Sequence, residues 1–333
     1  MTLFPKISDE QRLSMIQPRT EGRVRVVIDT DMANEIDDQF ALAWALLSQD
    51  VFDIEAVYAA PYSFQYRLNE LRHCYRLMES GTAPQGEDVE LLARYERQVQ
   101  RLLAINVSPF DLTQPSPAEG MAESYQETLT VYEKMGMSPD NVYRGSPDYL
   151  TSYDSPVQSD AATHLVELAK TASPDEPLYV LAIGCVTNIA SAFLMAPEII
   201  KTLDVVWTAG SATTSPQVTY SINSEQELRA SQLLFDSGVP FVYLPGFHIG
   251  AQLRISLPEM EQWVRGKGAI GDYLYHLYTN NPIHPLLGID DHYGRTWVIW
   301  DLINFAWLLD SAWVPTFLTT APKMGHDKRW YHN

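Results

Sequence analysis

With 333 residues, 46% of them apolar, the chain can bury a large core, and 42 acidic against 23 basic side chains leave a formal net charge of −19. That balance argues against a broad polyanion surface such as one for nucleic acid. No run approaches the roughly 18 continuous apolar residues of a membrane span. The first twenty residues lack an apolar signal core, and Cys74 and Cys185 lie far apart with no metal spacing, so a cytoplasmic location is the expectation.

In chain order, Val24, Val26, Val27 and Ile28 predict a short buried strand ending at Asp29. Phe40, Leu42, Ala43, Leu46 and Leu47 give residues 37–47 a helical apolar pattern. Between them Asp29, Asp31, Glu35, Asp37 and Asp38 fall within ten residues. Such a density repels itself unless a cation, a ligand or helix N–H groups neutralise it. A strand-to-helix turn at the carboxyl edge of an open α/β sheet is where ligands bind, and hard oxygen donors suit calcium or magnesium. Helix capping alone accounts for one or two of these acids.

Residues 53–59 predict a second strand, and Leu68, Leu71, Tyr75 and Met78 recur at helical spacing after it. Strands alternating with amphipathic helices predict a mostly parallel open sheet with helices on both faces. The stretch 81–141, with a helix over 89–105 and a proline-rich run at 106–120, is expected as a peripheral insertion, either a lid or a loop with an oligomer contact. Residues 155–172 then form an amphipathic helix that Pro174 stops. An apolar strand ending at Ile183 leads through Gly184 into a helix from Thr187, where Thr187 or Asn188 would also serve as an ordinary cap. Further strands are expected at 203–208 and 239–244, with a helix over 225–237 between them. His248 lies just beyond that last strand, in reach of a site at the sheet edge. His276, His284 and His292 fall in a long connection, so that 248–295 is read as a second peripheral addition. Asp301 then heads the strongly apolar helix of 302–309.

The run DTDMANEIDD followed by an apolar helix resembles the amino-terminal signature of the inosine-uridine-preferring nucleoside hydrolases, in a divergent branch whose loop is longer than the common form. Gly184, Val186, Thr187 and Asn188, then Asn223 within SINSEQE, then Asp301 match later blocks of that family in order. The resemblance implies one nucleoside-hydrolase-like domain over 1–333 and a bound Ca2+ held by Asp31, Asp38, Asp301 and the Ile183 carbonyl. It also implies hydrolysis of the N-glycosidic bond of a ribonucleoside, a small-molecule substrate, and a homo-oligomer, dimer or tetramer. Asp31 is then the expected base, with Asp37, Asn223, Asn34 and Glu35 at the sugar hydroxyls and Asp29 orienting the turn from behind. Two departures stand out. Ser221 replaces a glutamate, and Trp300 stands where a histidine protonates the leaving base, which points to His292 or His248 as the acid and to Trp300 as an apolar wall against the base. Two alternatives remain at this point: a non-catalytic sugar- or metal-binding protein on the same fold, and a haloacid-dehalogenase-like phosphohydrolase using the strand-end aspartate as nucleophile.

Overall fold

The computed structural model describes residues 4–17, 22–81, 83–216, 218, 220–281 and 295–332. A short helix α1 (Asp9–Met15) precedes β1 (Val24–Thr30), which is followed by α2 (Asp37–Leu47) and β2 (Phe52–Ala59). Next come α3 (Gln65–Ser80), α4 (Glu87–Ala104), α5 (Pro117–Met135) and β3 (Val142–Arg144). The second half runs α6 (Asp160–Ala169), β4 (Leu178–Ala182), α7 (Thr187–Met195), β5 (Leu203–Thr208), α8 (Ile222–Glu225), α9 (Leu228–Ser237) and β6 (Phe241–Leu244).

These six strands form one parallel sheet in the order β3-β2-β1-β4-β5-β6. The expected α/β class is therefore observed. Alternate residues of β1 serve opposite layers, as a strand covered on both faces requires. Val24, Val26 and Ile28 pack with α2 and with Val131 and Tyr132 of α5, while Val27 joins Leu165, Ile189 and Phe193 from α6 and α7. The chain builds outward from β1 to β3, then returns to β4 on the other side and builds out to β6. This reversal opens a crevice between β1 and β4 at their carboxyl ends, where Asp29 is flanked by Tyr58 of β2 and Ala182 of β4.

The stretch 81–141, expected as one peripheral addition, divides into two. Its α4 forms a hairpin with α3 around Leu68, Leu71, Cys74, Tyr95 and Val99, away from the sheet core. Its α5 instead packs on α2, β2 and β3 as the crossover between two strands. The prolines that look like loop formers belong to a helix start. Pro117 occupies a first-turn position where no backbone donor is needed, and Ser116 with Glu119 makes a reciprocal cap. Gly120 lets α5 touch the chain after β2, because a Cβ there would lie 2.0 Å from the Tyr62 carbonyl oxygen.

Beyond β6, β7 (Arg254–Ser256) pairs antiparallel with β8 (Thr296–Val298), and between them lie α10 (Leu257–Glu259) and α11 (Gly268–Thr279). This part packs on α2 through Ile36, Phe40, Met260, Leu274 and Ile299, outside the six-stranded sheet. Helix α12 (Leu302–Leu309) returns to the core, and β9 (Lys323–Met324) with β10 (Trp330–Tyr331) closes the chain as a small hairpin. Among the described residues no helix is long and apolar enough to cross a membrane.

Candidate active site

The carboxyl end of β1 delivers Asp29 and Asp31 to the crevice, and the turn that follows is closed by Asn34 N–H donating to the Asp31 carbonyl at 2.8 Å. Helix α2 then opens with Asp37 and Asp38, whose charges face its positive end. Asp301, the residue just before α12, comes from the far end of the sequence. Asp37, Asp38 and Asp301 each place a carboxylate oxygen within 4.8 Å of the others, and all three are buried. Asp38 accepts from the Thr30 hydroxyl. Burial raises Asp37 to about 6, opposed by nearby backbone N–H groups and by Asp301.

This concentration of charge is held against a strong electrostatic penalty. Burial, followed by the neighbouring charges of Asp37 and Asp31, pushes the half-buried Glu35 up to about 8, with Arg67 opposing. Burial first and the charge of Asp37 second hold Asp31 well above the usual carboxylate range. Asp38 and Asp301 are raised by burial and then by the charges of their acidic neighbours. Carboxylates at this separation cannot all ionise in a buried site without a counter-charge. The donor set is all oxygen, which fits a hard divalent cation such as calcium.

The surroundings fix the turn closely. Gly184 lies against it, and a Cβ at that position would sit 2.9 Å from both Cγ and the backbone nitrogen of Asp31. Asn188 donates to Asp29 Oδ1 at 2.8 Å while its own oxygen accepts the Ser146 N–H at 2.7 Å. Asp29 Oδ2 is buried without a partner, and burial lifts the group to about 7 despite Asn188. Asn223 spends its amide hydrogens on the carbonyls of Ile183 at 2.9 Å and Thr208 at 3.0 Å. One lone pair of the Ile183 oxygen is thereby used, and the Asn223 oxygen takes no part in these two bonds. Asn304 ties the Ala182 and Val206 carbonyls in the same way, at 2.8 and 3.1 Å.

Of the residues expected from sequence, Asp37 stands with Asp38 and Asp301 in the tight triad, whereas Asp31 stands beside it and accepts from Asn34 Nδ2 and Gln226 Nε2, both at 3.3 Å. Trp300 is half-buried and meets Trp297 edge-on with centroids 6.5 Å apart, and its indole N–H is buried without a partner among the described residues. His248 is exposed, with a left-handed φ of 73°, and His276 is exposed and bonded to Asn280. His292 lies outside the described residues. Sequence reasoning passed over Gln226, which donates to Asp31, and over Tyr149 and Ser63, which donate to Gln226. It also passed over Glu225, whose buried carboxylate binds Arg67, Arg94 and Lys328 at 3.1, 2.9 and 2.6 Å. The only signal for Glu225 and Gln226 was their place beside Asn223, and Tyr149 and Ser63 carry none.

The family model described as inosine-uridine preferring nucleoside hydrolase matches residues 26–328, spanning the turn, the Gly184 block, Asn223 and Asp301. The chain belongs to this family. It is therefore placed among the glycosidases that act on N-glycosyl compounds and hydrolyse ribonucleosides. Among solved structures, the chain is similar to a purine-preferring ribonucleoside hydrolase from Gardnerella vaginalis at 17% identity and a TM-score of 0.59, over 93% of this chain and 88% of that one. It is also similar to an inosine-guanosine nucleoside hydrolase at 14% identity and a TM-score of 0.58, over 92% and 86%. A third likeness is to the type III effector protein XopQ, solved with adenosine diphosphate ribose, at 12% identity and a TM-score of 0.53, over 98% and 92%. At these identities the likeness is one of fold. No curated protein matches the sequence.

Proposed function

We propose that the chain is a calcium-dependent hydrolase that cleaves the N-glycosidic bond of a ribonucleoside to ribose and free base. The observation that carries this reading is the triad of buried carboxylates, Asp37, Asp38 and Asp301, converging at the crevice between β1 and β4 next to Asp31. Asp31, Asp38, Asp301 and the Ile183 carbonyl would hold the ion, with Asp37 adding an oxygen to the same group. Bound there, calcium would lower the pKa of a water and orient it together with the sugar diol.

The reaction passes through an oxocarbenium-like sugar, which needs a water on one face, fixed hydroxyls and help for the departing base. Asp31 takes the water's proton, since it is the carboxylate beside the triad whose Oδ2 is already oriented by two amides. Asp37, the Asn223 oxygen, Asn34 and Glu35 meet the sugar hydroxyls. Asn188 and Asp29 brace the turn from beneath. Trp300 supplies a flat wall for the base, and His292 or His248 supplies its proton. A small-molecule substrate and a homo-oligomer, dimer or tetramer, complete the proposal.

A second reading, a binder of ribosyl compounds without turnover, is favoured by Trp300 in place of an acid and by the likeness to an effector solved with adenosine diphosphate ribose. The experiment that decides is reducing-sugar release from a panel of purine and pyrimidine ribonucleosides, after chelation and after calcium is restored. Release that needs calcium and is lost in Asp38→Asn supports the hydrolase. Tight ribose binding with no turnover of any nucleoside supports the binder and refutes the hydrolase.

A further inference from the structure

We propose that Gln226 is a positioning residue that decides which oxygen of Asp31 is presented to the reacting centre, an assignment resting on the functional reading above. The Gln226 carbonyl oxygen accepts the Ser63 backbone N–H at 3.0 Å and the Tyr149 hydroxyl at 2.7 Å. Two donors fill both lone pairs, and the flipped amide is forbidden because its NH2 group would face the Ser63 N–H, donor against donor. The amide nitrogen is left with one direction, and it stands 3.3 Å from Asp31 Oδ2. Asn34 Nδ2 reaches that same oxygen at 3.3 Å. Neither amide contacts Oδ1. Two donors hold one oxygen of the carboxylate and leave the other for cation and water.

The arrangement joins four loops at the carboxyl edge of the sheet. Asp31 follows β1, Ser63 follows β2, Tyr149 follows β3 and Gln226 follows β5. Gln226 is 8% and Ser63 2% exposed, so water does not readily substitute for either bond. Residues that orient a metal-ligating or reacting carboxylate from behind typically change affinity or activity by 10–100-fold when lost. A donor locked to one oxygen is such a residue, and it acts through Asp31 without touching substrate.

The test compares Gln226→Met and Gln226→Leu, which offer Asp31 no donor, with Tyr149→Phe. In both Gln226 variants kcat should fall about 10–100-fold and the calcium Kd, read by calorimetry on the chelated protein, should weaken by a similar factor, with KM little changed. Tyr149→Phe removes one of the two locks and should give a smaller loss in kcat at a wild-type melting temperature. Wild-type kcat and calcium affinity in the Gln226 variants, beside a competent wild type, would overturn the assignment of Gln226 alone. So would a parallel collapse of kcat, KM and melting temperature in all three variants, which marks a merely structural role. A wild-type chain that neither binds calcium nor releases ribose would overturn the functional reading, and this assignment with it.

Discussion

Glu225 offers the sharpest thermodynamic test, because its carboxylate is fully buried yet ionised. Burial pushes the group up, but the hydrogen bond from Arg94 and the charges of Arg67, Lys328 and Arg94 outweigh it and bring it from 4.5 down to about 2. A folded pKa below the unfolded value contributes stability that is present above about pH 4.5 and lost as pH falls through about 2. A depression from 4.5 to about 2 corresponds to about 3 kcal/mol. Glu225→Gln removes that contribution and leaves Arg67, Arg94 and Lys328, each less than a third exposed, without their shared partner. Denaturant unfolding at pH 7 should therefore show Glu225→Gln less stable by about 3 kcal/mol, and the gap should close by that amount near pH 2. Taking the difference between the two proteins cancels the other titrating carboxylates. A gap of the same size at both pH values would refute the reasoning, since it would mean that packing and not charge is what the substitution removes.

Other expectations follow from the same geometry. Calcium added to the chelated protein should raise its melting temperature, and Asp38→Asn should abolish the rise; calorimetry should show one site per chain. Asp204, on β5, is buried with neither oxygen partnered among the described residues, and its carboxyl is raised well above 3.8 by burial. Its unfavourable contribution grows as pH rises above that value, so Asp204→Val should stabilise the protein by about 1–3 kcal/mol at pH 8, and a loss of stability in denaturant unfolding would contradict this. Gly184→Ala drives a Cβ to within 2.9 Å of Asp31 and should lower kcat about 100-fold, read by ribose release. If no acid protonates the base, p-nitrophenyl riboside should be cleaved far faster than inosine or uridine; comparable rates would show that an acid is at work.

How much was legible in the sequence depended on whether the signal was local. The five carboxylates between β1 and α2 announce themselves by density, and the apolar strands by runs such as Leu178–Ala182. Asp301 was found because it heads a helix of eight residues with little but apolar side chains. Helix α5 was missed because Pro115 and Pro117 read as loop, although a proline in the first turn sits where the donor it lacks is not needed. Gln226 and Tyr149 were missed for a different reason. Neither carries a spacing rule, and 77 residues separate two side chains that the order of the strands brings to 2.7 Å. The exchange of Asp31 for Asp37 in the tight triad likewise depends on how α12 meets α2, which no local pattern encodes.

Trp300 is where physical chemistry most constrains what the family membership can mean for this chain. A departing purine or pyrimidine anion is a poor leaving group, and a general acid is worth roughly 10²–10⁴ in rate. An indole has no proton to give at neutral pH. Stacking of a base on Trp300 contributes about 0.5–1.5 kcal/mol beyond burial, close to tenfold at most. The buried indole N–H, unpartnered among the described residues, adds a hydrogen-bond donor that a base acceptor would satisfy, worth about 0.5–1.5 kcal/mol net. Together these reach roughly 10²-fold, the lower edge of what an acid provides. A Trp300 wall alone therefore suits a base that leaves readily, whereas turnover of inosine at rates usual for an enzyme requires a second proton donor. His248, exposed just after β6, and His292 are the two proposed donors: His→Ala at the one that acts should depress the rate on inosine while sparing p-nitrophenyl riboside, and equal loss on both substrates would rule out the leaving-group role.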